Sequence, residues 1–523
     1  MNTMSILDIT VFILYGVTII FVGFWVSRNK DKREKNSTDY FLASKSLPWW
    51  LVGSSIIAAN ISAEQFIGMS GSGYAAGLAI ATYEWLGAAI LIIVAKFFLP
   101  VFVSRKIFTM PQFLSIRYDN RIKSILAVFW IVLFIFVNLT SILYLGALSL
   151  QTIFNVKLIY GIWGLAMFAL VYNIGGGLKS IAATDIIQVF FLIAGGLLTT
   201  FLALDAVGDV SGPFHGFSQL LKDVPGKFHM IIPKGDPNFT YLPGIRTIFG
   251  GIWIAGIYYF GANQYIIQKA LGSKSLKEAQ RGMVFAGYLK LILPVIVVIP
   301  GIVAFSLAAD IGKPDEAYPW LLNRFVPAGI KGFVFAALIA AIVSSLSAII
   351  NSTATIFTMD IYKSYIRPGA SESRLVLTGR VSGIMAILIA ATIAPSLGRI
   401  DQAFQFIQEY TGMVSPGITA VFLLGMFWKK TTSRAAFWGI LVSIVASVGL
   451  KYGFPGMPFL DQMVVAFLVV TAFMVLFSLM EGRMANDPRG LVFESGLFRT
   501  GKVFNITATL VIVILLILYI VFW

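Results

Sequence analysis

The sequence predicts an all-α polytopic membrane protein with fourteen transmembrane helices, ten of them forming two inverted five-helix repeats. Three observations lead there. Apolar residues make up 58% of the 523 positions and charged ones 12%, with a mean hydropathy of +0.86; a soluble surface needs roughly 25% charged residues. Apolar runs of about 20 residues, the length of a helix that crosses a bilayer, recur along the chain. Two of those runs are interrupted by polar residues and glycine at corresponding places.

The expected spans lie near 5–27, 48–68, 79–104, 124–152, 158–175, 184–207, 247–268, 282–309, 332–359, 375–397, 402–427, 435–450, 462–480 and 503–523. The first is not a typical signal peptide: its basic cluster (Arg28, Lys30, Lys32, Arg33, Lys35) follows the apolar run, and no small-residue cleavage site is evident. Most of the 39 Lys and Arg fall in alternate loops. Because cytoplasmic loops carry the excess of positive charge, both termini are expected outside, extracellular or periplasmic, in a multi-pass protein of the inner (plasma) membrane. The net charge of +15 follows the bilayer and gives no sign of a nucleic-acid partner. Zero cysteines exclude disulfides and thiolate metal sites, and the two histidines, His215 and His229, share one polar loop. The stretch "GGGLKS" lacks the spacing of a phosphate loop, so neither an enzyme nor an ATP-driven pump is indicated.

The second span carries "IIAANISAEQFIGMSGSGY" (Ile56–Tyr74), with Asn60, Ser62, Glu64 and Gln65 followed by Gly68, Gly71 and Gly73. The seventh carries "IFGGIWIAGIYYFGANQY" (Ile248–Tyr265), with four glycines before Asn263 and Gln264. In lipid an unpaired backbone group costs several kcal/mol, so a broken helix survives only where it is buried or lines a cavity. Secondary transporters place binding sites at such breaks, in matching positions of two halves. The two breaks begin the second and seventh spans, which divides the chain into an extra N-terminal helix and basic loop (1–47), a first repeat (48–207), an outer loop serving as lid or vestibule (208–246), a second repeat (247–427) and three C-terminal helices (428–523). Glycines that merely allow close helix packing are the simpler account of one such run; two in register favour a site.

Ionisable residues within the membrane are functional candidates with a partner to be named. Glu84 and Lys290 are expected to pair, since each is costly alone. Glu64 stands near an outer helix end with water in reach, Lys96 snorkels to the inner interface, Glu409 is a further intramembrane carboxylate, and Asp185 either caps the start of its helix or acts chemically. The stretch Ala340–Tyr362 is rich in hydroxyls, including Ser344, Ser345 and Ser347. Neutral hydroxyls with carbonyls freed at Ala58–Ile61 suit a hard cation such as sodium, although serine in a membrane helix usually bonds its own backbone.

Together "IIAANISAEQFIGMSGSGY", "TDIIQVFF", "NQYIIQKAL", "AAIVSSLSAIINSTATIFTMDIYK" and "FIQEYTGMVSPGI" resemble the sodium/solute symporter family, and within it the bacterial sodium–galactose (sodium/glucose-type) branch. The likeness runs through essentially the whole chain. It implies a leucine-transporter-type fold and sodium-driven import of a neutral sugar, a hexose such as galactose or glucose, by alternating access. Carried over, the sodium site would use carbonyls of Ala58, Ile61 and Ala341 with hydroxyls of Ser344 and Ser345, and Asp185 would relay sodium. The sugar site would use Asn60, Gln65, Glu84, Lys290 and Gln408, with Tyr259 on the pyranose face. The gates would be Met69, Tyr83 and Phe404 outside, and Tyr259 with Phe260 inside. Two-sodium members resemble the chain at Asp185, Ser344 and Ser347 but carry a further hydroxyl where it has Ala348, so one sodium is expected.

Three positions depart from the galactose branch: Gly87 stands for a serine, Gly256 for an asparagine and Phe260 for a tryptophan. Two hydroxyl-bonding side chains are therefore missing, which leaves the identity of the sugar open, because buried hydrogen bonds dominate discrimination between analogues. A sodium symporter for a carboxylate or polyol, and a membrane sensor that binds solute without moving it, are the alternatives. Oligomeric state is not legible.

Overall fold

A computed structural model describes residues 5–27, 36–174, 177–209, 211–399, 403–481 and 485–523. The basic cluster from Arg28 to Lys35 lies outside the described residues. Among the described residues, ten helices are long and apolar enough to cross a bilayer, and shorter apolar helices fill other expected spans. The helices that position the site are α1 (Trp49–Asn60), α2 (Ser70–Ala76), α3 (Thr82–Ile93), α4 (Gly177–Val207), α5 (Gly251–Ile257), α6 (Gln264–Leu271), α7 (Leu276–Ser306), α8 (Lys331–Ile356) and α9 (Ala403–Gly412).

A helix that is apolar all round is either a core helix or one wrapped in lipid, and burial tells them apart. The most apolar window around α8 is 94% buried, against 28% for Phe459–Glu481 and Lys502–Val521. The core therefore lies along α8, and the C-terminal helices face outward. Glycine sets the closest crossings. A Cβ on Gly53 of α1 would stand 2.6 Å from the carbonyl oxygen of Gly282, and one on Gly301 would stand 2.1 Å from that of Ser70. So α7 runs against α1 near one end and against α2 near the other, backbone to backbone, as small residues permit in membranes.

Both interrupted runs are broken. α1 stops at Asn60; Ile61 is extended (φ −83°, ψ 104°), and a π turn, Glu64–Met69, leads into α2. In the second run α5 passes into a π turn, Tyr258–Ala262, then into extended Asn263 (φ −85°, ψ 126°) before α6. The side chains that spoil the helix also satisfy the backbone they free. The Ser62 amide and hydroxyl donate to Gln65 Oε1 (2.9 and 3.1 Å), and the Glu64 amide donates to Ser62 Oγ (3.0 Å). At the second break Gln264 Oε1 accepts the Met110 amide (2.8 Å), anchoring the start of α6.

Three expectations are corrected. The span expected at 184–207 begins at Gly177, so Asp185 is a fully buried residue in the interior of α4 rather than an N-cap; buried Leu178, Ile181 and Ala182 extend the apolar face backward. The seventh span, expected at 247–268, runs on through Leu271, so Lys269 is 1% exposed near the end of α6. The span expected at 402–427 divides into α9 and Ser415–Phe427, where Gly412 and the proline at Pro416 break the run.

The outer loop folds over the first repeat. Its helix Pro213–Asp223 precedes Lys227, whose ammonium donates to the carbonyls of Tyr74 (3.0 Å) and Ala75 (2.6 Å) at the end of α2. Burial pushes the Lys227 ammonium below the usual lysine range. Gly77 (φ +73°) turns the chain against the Lys227 backbone, where a Cβ would stand 2.3 Å from its carbonyl oxygen.

Candidate functional site

A concave cavity of mixed polar and aromatic lining opens between the two breaks, the kind of space small-molecule sites occupy. The first break contributes Asn60, Glu64 and Gln65, and the second contributes Tyr258, Tyr259 and Phe260. α3 adds Tyr83, Glu84 and Gly87, α7 adds Lys290, and α9 adds Phe404 and Gln408. All six residues expected at the sugar, Asn60, Gln65, Glu84, Tyr259, Lys290 and Gln408, therefore face one space. Asn60 Nδ2 donates to Tyr259 Oη (3.0 Å), tying one break to the other. Gln65 Oε1 is engaged by Ser62, so this side chain holds the π turn while lining the cavity.

The expected ion pair is present. Lys290 Nζ stands 2.5 Å from Glu84 Oε2, both side chains nearly inaccessible to solvent, and 5.0 Å from the centre of the Phe260 ring. Paired, the two leave this part of the wall near neutral, which suits a ligand that offers hydroxyls and carries no charge. The three departures from the galactose pattern gather beside it. A Cβ on Gly87 would lie 3.2 Å from the Lys290 Cδ and Cε and 3.3 Å from Phe260, and one on Gly256 would lie 2.3 Å from Ile90 Cδ1. The lysine arm, the phenylalanine ring and an isoleucine methyl occupy the ground that polar side chains would have held.

Of the expected gates, Tyr83 and Phe404 meet edge to face (5.4 Å, 89°), and Tyr259 meets Phe260 (4.9 Å, 81°). Met69, the third expected outer residue, is fully buried at the end of the π turn and is not among the cavity-lining residues.

Behind the cavity, α8 meets the first break. Ser345 Oγ lies 3.3, 3.1 and 3.2 Å from the carbonyl oxygens of Ala58, Ala59 and Ile61. One hydroxyl proton cannot fully serve three acceptors, so these oxygens converge with lone pairs to spare. An all-oxygen set of this kind fits a hard cation. Ala341 is buried one turn before Ser345 on the same helix. Ser344, expected as a ligand, donates to Asp185 Oδ1 (2.6 Å) and would have to rotate to reach the break. Asp185 also accepts from Ser55 and stands 3.2 Å from Lys269 Nζ. The sequence reading missed Lys269, Ser55 and the Ala59 carbonyl; the one visible signal was a lysine directly after the second break, in "IIQKAL".

The family model for the sodium:solute symporter family matches residues 40–443. The chain is 53% identical, over 99% of both sequences, to a sodium/glucose cotransporter of Vibrio parahaemolyticus. It is 33% identical to human sodium/myo-inositol cotransporter 2, over 84% of this chain and 68% of that one. Among solved structures it is similar to a sodium-coupled sialic acid symporter in a substrate-bound, outward-open state (TM-score 0.80, 23% identity, 92% of this chain and 99% of that chain). It is also similar to a transporter of the nucleobase-cation-symport-1 family in a closed conformation with bound bromovinylhydantoin (TM-score 0.56, 15% identity, 89% and 98%). At these identities the structural likeness speaks for the fold.

Proposed function

The chain belongs to the sodium:solute symporter family, and on that premise we propose that the cavity between the two breaks takes a neutral sugar while the carbonyls of the first break take the coupling sodium. The protein is a sodium-coupled symporter of the membrane, not an enzyme, and its substrates are a sugar and Na+. The observation that carries the site assignment is the Ser345 hydroxyl of α8 set among three carbonyl oxygens of the broken segment that also lines the cavity.

In this reading Ala58, Ile61, Ala341, Ser344 and Ser345 supply sodium oxygens, and Asp185 receives the ion on its way out. Asn60, Gln65, Glu84, Lys290 and Gln408 bond sugar hydroxyls, and the Tyr259 ring lies on the C–H face. Tyr83 and Phe404 close the outer side, Met69 backs the turn beneath them, and Tyr259 with Phe260 close the inner side. Sodium binding draws α8 against the first break and so fixes Asn60 and Gln65 for the sugar. When α8 withdraws, sodium loses the Ser345 side of its shell and the sugar loses its preorganised wall. Linkage requires reciprocity: the sugar tightens sodium binding by the factor by which sodium tightens sugar binding. Fourteen spans, both termini on the outside, one sodium per cycle, and repeats at 48–207 and 247–427 with the outer loop 208–246 between them complete the proposal.

The relatives' names include glucose and myo-inositol, both neutral polyols. Uptake of labelled hexoses and inositol into proteoliposomes, with and without an imposed sodium gradient, tests ion and solute together. Accumulation of at least one of them above equilibrium only with the inward sodium gradient is expected. Equal uptake under potassium or with no gradient would sink the reading.

A further inference from the structure

The charged side chains at the cavity wall and just behind it are paired: Glu84 with Lys290 at 2.5 Å and Asp185 with Lys269 at 3.2 Å. Glu64 breaks the pattern. Its side chain lines the cavity, its buried Oε1 accepts no hydrogen bond, and among the described residues no cation pairs with it. Glu64 is partly buried, and a carboxylate with one oxygen shut away from water and unpartnered is costly and calls for a countercharge.

The oxygens assigned to sodium lack what Glu64 has in excess. Every one is a neutral carbonyl or hydroxyl, and the carboxylate that Ser344 touches, Asp185, already faces the Lys269 ammonium. Glu64 lies three residues beyond Ile61, on the same interrupted segment. We propose that Glu64 is the countercharge of the bound sodium: a positioning residue that ligates neither ion nor sugar but holds the electrostatic potential at the first break negative. The inference rests on the sodium site proposed above. It also states why sodium and a neutral sugar bind together. With the ion in place the central region is balanced and an uncharged ligand adds no charge; without the ion, an uncompensated carboxylate faces the cavity.

At an effective dielectric of about 20, a unit charge acting over about 10 Å or less changes the affinity of a monovalent cation roughly tenfold or more. The experiment compares Glu64→Gln with Glu64→Asp in the full chain. Two readouts are used: sodium half-saturation, taken from sodium-induced thermal protection without sugar, and the sugar half-saturation of uptake at saturating sodium. Glu64→Gln is expected to weaken sodium about tenfold in the sugar-free measurement. Glu64→Asp should stay within about threefold of the parent, and sugar half-saturation at saturating sodium should not move. Should Glu64→Gln lose monodispersity, Glu64→Ala is read in the same way. The proposal is overturned if Glu64→Gln leaves sodium protection unchanged, if the aspartate variant is as weak as the glutamine one, or if only sugar half-saturation rises, which would make Glu64 a sugar ligand. Ser345→Ala keeps the two readings apart: sodium protection that survives it removes the sodium site itself, whereas a loss there with none in Glu64→Gln removes only the countercharge.

Discussion

The two broken helices face the same cavity and expose different chemistry to it. The first leaves main-chain oxygens open at Ala58, Ala59 and Ile61, stopped by one serine from α8. The second presents rings, with Tyr259 between Phe260 and Tyr265 at 4.9 and 5.6 Å. The order of parts differs as well, extended residue then π turn in the first and π turn then extended residue in the second. A repeat can thus supply the same interruption twice while its side chains divide the labour: oxygens for an ion at one break, an aromatic face for a ring of C–H groups at the other. A hydrogen bond from Asn60 to Tyr259 joins them.

The division can be broken at several points. The largest effect is expected where charge is at stake on the wall that both breaks share. Lys290→Met leaves Glu84 buried and unpaired and should lower stability by about 3–5 kcal/mol in detergent unfolding; adding Glu84→Gln should recover most of that loss. A single variant as stable as the double would mean that the pair contributes nothing. Next, Ser345→Ala should weaken sodium half-saturation at least tenfold, or about 1.4 kcal/mol. Uptake that keeps the parent sodium dependence would place the ion elsewhere. The mirror change at the second break, Tyr259→Ala, should raise sugar half-saturation about tenfold while sugar-free sodium protection stays near the parent; loss of both would erase the division between the breaks. Smallest is Tyr259→Phe, which keeps the ring and removes the acceptor of the Asn60 amide. One neutral hydrogen bond is worth about 1 kcal/mol, so sugar half-saturation should rise about fivefold in the same uptake assay.

Much of this was legible beforehand. Apolar runs marked the spans because a bilayer demands a fixed length of apolar helix. Asn60, Ser62, Gln65 and the glycines around 250–261 marked the breaks because they compete with or loosen the helical backbone. The Glu84–Lys290 pair followed from the cost of either charge alone. What was misread lay at helix ends and in partnerships. Asp185 looked like a cap because Gly177 to Thr184 reads as polar and small, yet its buried face continues the helix. Lys269 fell one residue past its expected span, and nothing in its neighbours announces that Asp185, 84 residues away, receives it. Glu64, read as an intramembrane candidate within reach of water, is partly exposed and lines the cavity.

By itself the sequence determined that the chain is membrane-spanning and helical, where the helix fails, and which residue types stand at each failure. These are local properties: hydropathy, backbone competition and the desolvation of charge act over a few residues. Only the tertiary structure decided that Ser345 reaches the first break while Ser344 turns to Asp185, and that Lys269 faces Asp185 and leaves Glu64 alone. It also filled the space beside Gly87 and Gly256 with Lys290, Phe260 and Ile90. Those outcomes depend on how α3, α4, α7 and α8 pack across one another, and the energy of a buried charge or an open carbonyl is fixed by the neighbour that packing delivers.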